Sequence, residues 1–474
     1  MSELLLILLL LPLLGCLFVL TSNKNGRNAY HVSLFTLGTG VFMILRIFSV
    51  LNAQTDSLHL LHTFGWFENV NIPLLLSADF FSLLLLLGVY ISFIIGLVGL
   101  PEDMRRDKTF FAVFLYFVWN MTGLLTAGDM ILFYVFFAGM LLPLFLLIGG
   151  SGHIKKKTTL YAFFIFNFAG MLILLTAILI AYRFYHGNLL LQEMALVKMP
   201  KHVSRIVWGG VCLALFSRIP IWPFHYWLAA IGSGLKNPVV YIMTNMLPLT
   251  GLYGFMRFWQ LTMTKSILPY MPAVVGVCLV TMLFIVLIGI AHKEFLNKLF
   301  AYMTVFYLLF LLAEILLSSV LLADTLQMNI AYSLHIFLIV TSSLAVLDLR
   351  MEKECADKNC DYHGVLAYMP KRANLFAFFV LVALGLPVSA MFWNNFIIIS
   401  ALFRFSFIIG VMVMAAISLI CVAMLYEIYI LRDLKARAET ELEVADISRE
   451  ALLFFAGVII IVILSFFDPL WFVL

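Results

Sequence analysis

The sequence predicts an all-α integral membrane protein of about fourteen transmembrane helices. Composition is the first reason. Of 474 residues, 64% are hydrophobic and only 11% charged, too little polar surface to wrap a soluble core. Apolar runs of roughly twenty residues then recur from end to end, each long enough to cross about 30 Å of hydrocarbon. Third, the basic residues fall on alternate loops between those runs.

The spans predicted in order are 3–20, 30–51, 79–100, 109–127, 130–149, 159–182, 206–231, 238–260, 272–291, 299–319, 327–348, 374–402, 407–431 and 451–473. The first has Glu3 before it rather than a basic flank, and no small-residue cleavage site after it. It therefore reads as a retained span, not a signal peptide. One set of loops carries twenty Lys and Arg residues, among them Lys24, Arg105, Arg106, Lys155, Lys298, Arg350, Arg372 and Lys435. The opposite loops carry six: Arg183, Lys198, Lys201, Arg205, Lys265 and Arg404. The positive-inside rule makes the first set cytoplasmic and places both termini on the outer, periplasmic side of the inner membrane. Four of the six outside charges lie in 183–205, which fits either a short amphipathic surface helix or an ordinary loop.

No Gly/Ser-rich linker divides the chain, so residues 1–474 read as a single membrane domain. Within it the segments are 1–105 for the first three helices, 106–262 for a first repeat, 270–435 for a second and 450–474 for the last helix. Two spans carry internal prolines, Pro220 and Pro223 in the seventh and Pro387 in the twelfth. A proline removes a backbone donor and clashes with the preceding turn, so both helices are expected to break. Matching breaks in two halves point to inverted five-helix repeats with an ion site at mid-membrane.

An ionisable side chain in hydrocarbon needs a partner or a purpose. Arg218 stands at the first break and is a fixed cation; it either tunes a neighbouring acid and a water chain or satisfies frayed helix carbonyls. His225, one or two turns on, titrates near neutral pH or packs as a hydrogen-bonded histidine. His335 shares a polar stripe with Tyr332 and Thr341. Glu314 and Glu427 lie within the tenth and thirteenth spans, as proton-relay acids or as partner-paired carboxylates. These five are the expected proton or ion path. Asp79 and Asp129 open their spans, where helix capping is the expected role.

Other chemistry is not signalled. There is no phosphate-binding glycine loop, no GxSxG elbow and no HExxH, so no catalytic residue and no cofactor is expected. Cys355, Cys360 and His363 form a C-x4-C-x2-H cluster whose fourth ligand would have to be Asp357, Asp361 or a partner's residue, and no metal is expected there. The six cysteines show no paired framework.

Several stretches do resemble a known family. Ala127-Gly-Asp-Met-Ile-Leu-Phe-Tyr-Val-Phe-Phe137 with Leu141-Leu-Pro143 is similar to the fifth-helix motif of the antiporter-like subunits of complex I and the Mrp-type cation/proton antiporters. Ala162-Phe-Phe-Ile-Phe-Asn-Phe-Ala-Gly170 resembles the family's sixth helix, and Arg218-Ile-Pro-Ile-Trp-Pro-Phe-His-Tyr-Trp-Leu228 its broken seventh. Tyr253-Gly-Phe-Met-Arg257, Lys298-Leu-Phe-Ala-Tyr302 and Leu384-Gly-Leu-Pro387 follow in order. The paralogue it most resembles is subunit M of the NADH-quinone oxidoreductase, which has fourteen helices and no long lateral helix.

The resemblance implies two inverted repeats, other membrane subunits as partners, lipid around them, no nucleic acid, and protons or monovalent cations as the transported species. It implies a non-catalytic membrane subunit of an NADH-quinone oxidoreductase-like complex. The departures are specific. The family's fifth-helix glutamate corresponds to Ala138, its seventh-helix lysine to Arg218 and its eighth-helix lysine to Leu249. A lysine before the tenth helix corresponds to Asn297, beside Lys298; a tenth-helix histidine corresponds to Tyr307, and the twelfth-helix acid to Asn395. His225 and, offset by one, His335 keep histidines. Two readings follow: a working ion channel half, or a non-conducting structural paralogue. The membrane subunit of an inorganic-carbon uptake system is a further home for such a chain.

Overall fold

The computed structural model describes residues 2–22, 27–49, 60–67, 72–150, 157–185, 189–190, 199–225, 227, 235–259, 268–292, 294–318, 323–358, 369–387, 389–431 and 449–467. Helices α1 (Ser2–Thr21) and α2 (Arg27–Phe48) pack as a pair near the N-terminus. An antiparallel hairpin follows, β1 (Leu60–Phe67) and β2 (Ile72–Ala78), which the hydropathy pattern does not predict. Next come α3 (Phe80–Val98), a 3-10 turn at Glu102–Arg106, α4 (Lys108–Leu125), α5 (Met130–Gly139), α6 (Leu141–Gly150), α7 (Lys157–Phe184) and α8 (Lys201–Phe216). The remainder is α9 (Pro238–Phe258), α10 (Met271–Ala291), α11 (Phe295–Leu317), α12 (Ala323–Lys358), α13 (Pro370–Ala383), α14 (Ala390–Phe405), α15 (Phe407–Leu431) and α16 (Arg449–Phe467).

Among the described residues, eleven helical segments are long and apolar enough to cross a membrane, with α5 and α6 counted as one and two further apolar helices being shorter. The chain is a multi-pass membrane protein. The apolar windows of α9 and α11 are wholly buried, and those of α12 and α3 nearly so, whereas α1, α7 and α15 turn most of theirs outward. In lipid an outward apolar face is the normal solvent face, so α9, α11, α12 and α3 form the protein-facing centre. The most extensive helix contact is between α3 and α12.

Local chemistry sets the helix ends. Asp79 caps α3 by accepting from Ser82 N at 2.9 Å in a reciprocal capping box, and Asp107 caps α4 through Thr109 N at 2.9 Å. Asn237 caps α9, whose first residue is Pro238, where a missing N–H costs nothing. The capping role expected of Asp79 and Asp129 is therefore present in both. Helix α13 ends in a Schellman motif: Gly385 sits at φ +97°, Leu386 N bonds Leu381 O and Gly385 N bonds Val382 O, both at 3.0 Å. Pro387 then forbids continuation, and α14 restarts at Ala390, which reproduces the break expected in 374–402. The seventh span breaks too. Helix α8 stops at Phe216, and residues 217–225 run in turns through Pro220 and Pro223.

Two differences from the expected spans have clear causes. The span 130–149 is divided at Met140, ahead of Pro143. The span 327–348 is the core of a 36-residue helix, α12, about 54 Å long. Its tail of Arg, Glu, Lys and Ala favours helix beyond the apolar layer. Lys353 on that tail bonds both carboxylate oxygens of Asp103 at 2.9 Å, and Arg372 at the start of α13 pairs with Glu354 at 2.5 Å. Lys108 Nζ donates to Ser22 O at 2.7 Å. Ser22 and the 101–108, 350–358 and 370–372 regions thus meet at one end of the molecule. Part of 183–205 lies outside the described residues; Lys201 and Arg205 belong to α8.

Candidate functional site

Arg218 follows the end of α8 and is fully buried. Its Nη2 donates to the Phe137 carbonyl at 2.5 Å and its Nη1 to Thr250 Oγ1 at 3.3 Å. The guanidinium carbon lies 3.8 Å from the centre of the Phe137 ring, a cation–π contact in a dry site. Nη1 also approaches Met140 Sδ at 3.7 Å, and Nε has no partner. Among the described residues no carboxylate pairs with Arg218. The division between α5 and α6 leaves the Phe137 carbonyl near the helix end, where an intrahelical donor is lost. Arg218 supplies one. Of the two roles expected for it, the carbonyl-satisfying one is present, directed at α5 rather than at its own helix.

The rest of the break is held by single polar contacts. Trp227 Nε1 donates to the Ser217 carbonyl at 3.2 Å, and Trp222 N donates to Thr281 Oγ1 on α10 at 3.1 Å. His225 sets its ring edge-on to Phe284 with 5.8 Å between centroids, and its Nδ1 is unpartnered. It borders a small cavity shared with His292, Asn297 and Thr304.

His335 on α12 is buried, with Nδ1 3.1 Å from the Leu84 carbonyl on α3. A Cβ at Gly88 would lie 3.0 Å from that nitrogen, so the small residue is what lets α3 and α12 close on the histidine. Glu314 is fully buried on α11, and Gln327 is the polar side chain beside it. Glu427 on α15 forms a buried ion pair with Lys298 on α11. The five expected path residues do not converge: among the described residues, no two of them bond one another directly.

Sequence reasoning counted Lys298 and Arg372 among loop charges, yet both are buried and paired. Each lies within the first turn of its helix, where hydropathy cannot distinguish a loop from a snorkelling position. It also missed the Asp79–Arg257 ion pair at 2.5 Å, in which Arg257 Nε also donates to Tyr253 Oη at 3.1 Å. Asn395, at the expected place of an acid, is buried with its carbonyl oxygen unpartnered. Of the Cys/His cluster, Cys355 is buried on α12, and Cys360 and His363 lie outside the described residues.

This arrangement matches known proteins along its length. Residues 127–421 match the family model described as NADH:quinone oxidoreductase/Mrp antiporter, TM. NADH-quinone oxidoreductase subunit M of Rickettsia typhi is 22% identical over 470 residues, covering 96% of this chain and 94% of the relative. NADH-ubiquinone oxidoreductase chain 4 of Marchantia polymorpha is 24% identical, covering 84% and 80%. A chain of respiratory complex I from Thermus thermophilus with bound NADH superposes with a TM-score of 0.87 at 18% identity, over 99% of this chain and 96% of that one. The Mrp complex of Dietzia sp. DQ12-45-1b gives 0.77 at 14% identity, over 97% and 50%. The two structural likenesses establish the fold, and the family match, which spans more than half of the chain, establishes the kinship: this protein belongs to the NADH:quinone oxidoreductase/Mrp antiporter membrane family.

Proposed function

We propose that the chain is an antiporter-like membrane subunit of a multi-subunit complex that translocates protons or monovalent cations. The observation that carries this reading is the burial of Arg218, Glu314, His335 and the Lys298–Glu427 pair within the protein. Charged groups at that depth are costly, face the interior rather than lipid, and mark ion pathways in membrane proteins. The relatives named above are subunits of respiratory complex I and of an Mrp complex. On this reading Arg218, His225, His335, Glu314 and Glu427 serve the ion path. The helices group as 106–262 and 270–435, two inverted repeats within about fourteen spans. Both termini face the outer side, since Arg105, Lys108, Lys353 and Arg372 gather at one end of the molecule.

A second reading, a structural paralogue that conducts nothing, draws support from one observation. The partners of Arg218 are a carbonyl, a hydroxyl, a thioether and a ring, none of which exchanges protons readily. Proteoliposomes of the complex carrying Arg218→Ala separate the two. Lost proton movement with intact assembly supports the conducting reading, and unchanged movement supports the structural one. Purification with no other membrane subunit would refute both.

A further inference from the structure

Helices α8 and α10 do not pack closely on one another; a cleft of about 390 Å³ lies between them. That is more than twice the roughly 150 Å³ that admits a benzene ring. Its floor is one face of α8. Gly209, Cys212, Leu213 and Phe216 recur there at helical spacing, and a Cβ at Gly209 would meet nothing within 4 Å. Val274 of α10 stands on the facing wall. Deeper in, the break of the seventh span closes against α10, where Trp222 N donates to Thr281 Oγ1 at 3.1 Å.

At the mouth the chemistry changes. Arg205 of α8 and Tyr270, the residue before α10, both line the cleft there, and Tyr270 is 56% exposed. Lys201, one turn before Arg205, extends the positive charge along the same face. Both basic side chains are exposed, and among the described residues neither pairs with a carboxylate. The Trp208 ring of α8 lies 6.2 Å from Phe258, which lies 5.2 Å from Phe133 near the start of α5. The mouth is therefore at the end where α3 and α5 begin, away from Arg105, Lys353 and Arg372. From Arg205 to Phe216 the helix rises roughly 16 Å, about the depth of one leaflet of a 30 Å hydrocarbon layer.

We propose that the α8–α10 cleft binds one anionic phospholipid, with its phosphate on Arg205 and Lys201 and an acyl chain along the Gly209 face. The site holds whether or not the chain moves ions. An apolar face one leaflet long suits an acyl chain. The cations stand at the level of that chain's headgroup, together with a tyrosine, a side chain that favours the headgroup region. Two neighbouring cations with no carboxylate select a net negative headgroup over a zwitterionic one, whose own ammonium they would repel. Spread over that length, the volume is too slender for a partner helix about 10 Å across.

The test uses the purified complex in nanodiscs of phosphatidylcholine and phosphatidylglycerol, one or the other carrying a photoactivatable diazirine on its acyl chain. Adducts are mapped by peptide mass spectrometry. Labelled phosphatidylglycerol is expected to mark residues 209–216 and 270–274 at least fivefold more than labelled phosphatidylcholine does. Lys201→Gln/Arg205→Gln is expected to erase that preference. Gly209→Leu keeps the charges and fills the cleft, so adducts at 212–216 are expected to disappear. All three positions are exposed, and copurification of the complex checks that the variants fold. Equal marking by the two lipids would make this ordinary boundary lipid and overturn the choice of headgroup. Undiminished adducts in Gly209→Leu would overturn the acyl path. A cleft left unmarked while other outward helices are marked would assign this face to a protein partner and overturn the site.

Discussion

Tyr302 on α11 donates its hydroxyl to the carbonyl of Ala383 on α13, 2.6 Å away. Ala383 is four residues before Pro387, the residue whose N–H a continuous helix would have used for that carbonyl. The tyrosine replaces the donor that the proline lacks. The same logic recurs where Arg218 serves the Phe137 carbonyl at the α5–α6 break and Trp227 the Ser217 carbonyl after α8. Broken membrane helices persist only where neighbours re-satisfy the freed backbone groups.

Tyr302→Phe leaves the Ala383 carbonyl buried without a donor, at a cost of about 1–3 kcal/mol. The expected result is a lower melting temperature of the detergent-solubilised complex. A variant that melts with the wild type would show that Tyr302 is not what satisfies the break.

The breaks were legible in the sequence because proline carries its own signal, and the spans were legible because hydrocarbon demands long apolar runs. Asp79 and Asp129 were readable as caps, because an acid just before an apolar run has one common use. What could not be read were the partners. Phe137 is 81 residues from Arg218, and Glu427 is 129 from Lys298, and a single chain of letters holds no record of such pairings. The hairpin was missed for another reason. Its strands mix His, Thr and Trp with Leu and Phe, so a hydropathy average sees only an interval between spans; two β-prone runs around Glu68 and Asn69 were the available signal.

Gly251 on α9 sets how closely α8 approaches. A Cβ there would lie 2.8 Å from the Leu215 carbonyl oxygen and 3.0 Å from Arg218 Cβ. Backbone cannot swing aside as a side-chain tip does, so Gly251→Ala must push α8 and α9 apart. We expect a loss of about 1–3 kcal/mol and a displaced Arg218. A cross-linking pair across α8 and α9 measures the spacing, and unchanged efficiency would contradict this packing.

Asp129 carries a pH dependence of its own. It caps α5 through Leu132 N at 2.7 Å and also accepts from Leu75 N at 3.2 Å, yet burial pushes its carboxyl up to about 6. The folded protein therefore holds this proton more tightly than the unfolded chain, whose value is near 3.8. The contribution is fully present below the unfolded value, is lost as pH rises through the folded one, and is flat above. That difference corresponds to about 3 kcal/mol. Asp129→Asn removes that slope. The difference in melting temperature between variant and wild type should shift in the variant's favour between about pH 4 and pH 6.5. A pH-independent difference would mean that Asp129 stays ionised.

Arg218→Lys tests the fork and the charge separately. A lysine keeps the cation but has no planar guanidinium to lie flat on the Phe137 ring while donating to both the Phe137 carbonyl and Thr250. We expect the variant to lose about 1–3 kcal/mol and to melt earlier than wild type. Lysine keeps the fixed positive charge, so on the translocating reading proton movement should survive in this variant and be lost in Arg218→Ala. Wild-type stability in Arg218→Lys would mean that the fork contributes nothing. Loss of proton movement equal to that of alanine would mean that, on the translocating reading, the geometry of the guanidinium and not its charge is what is needed.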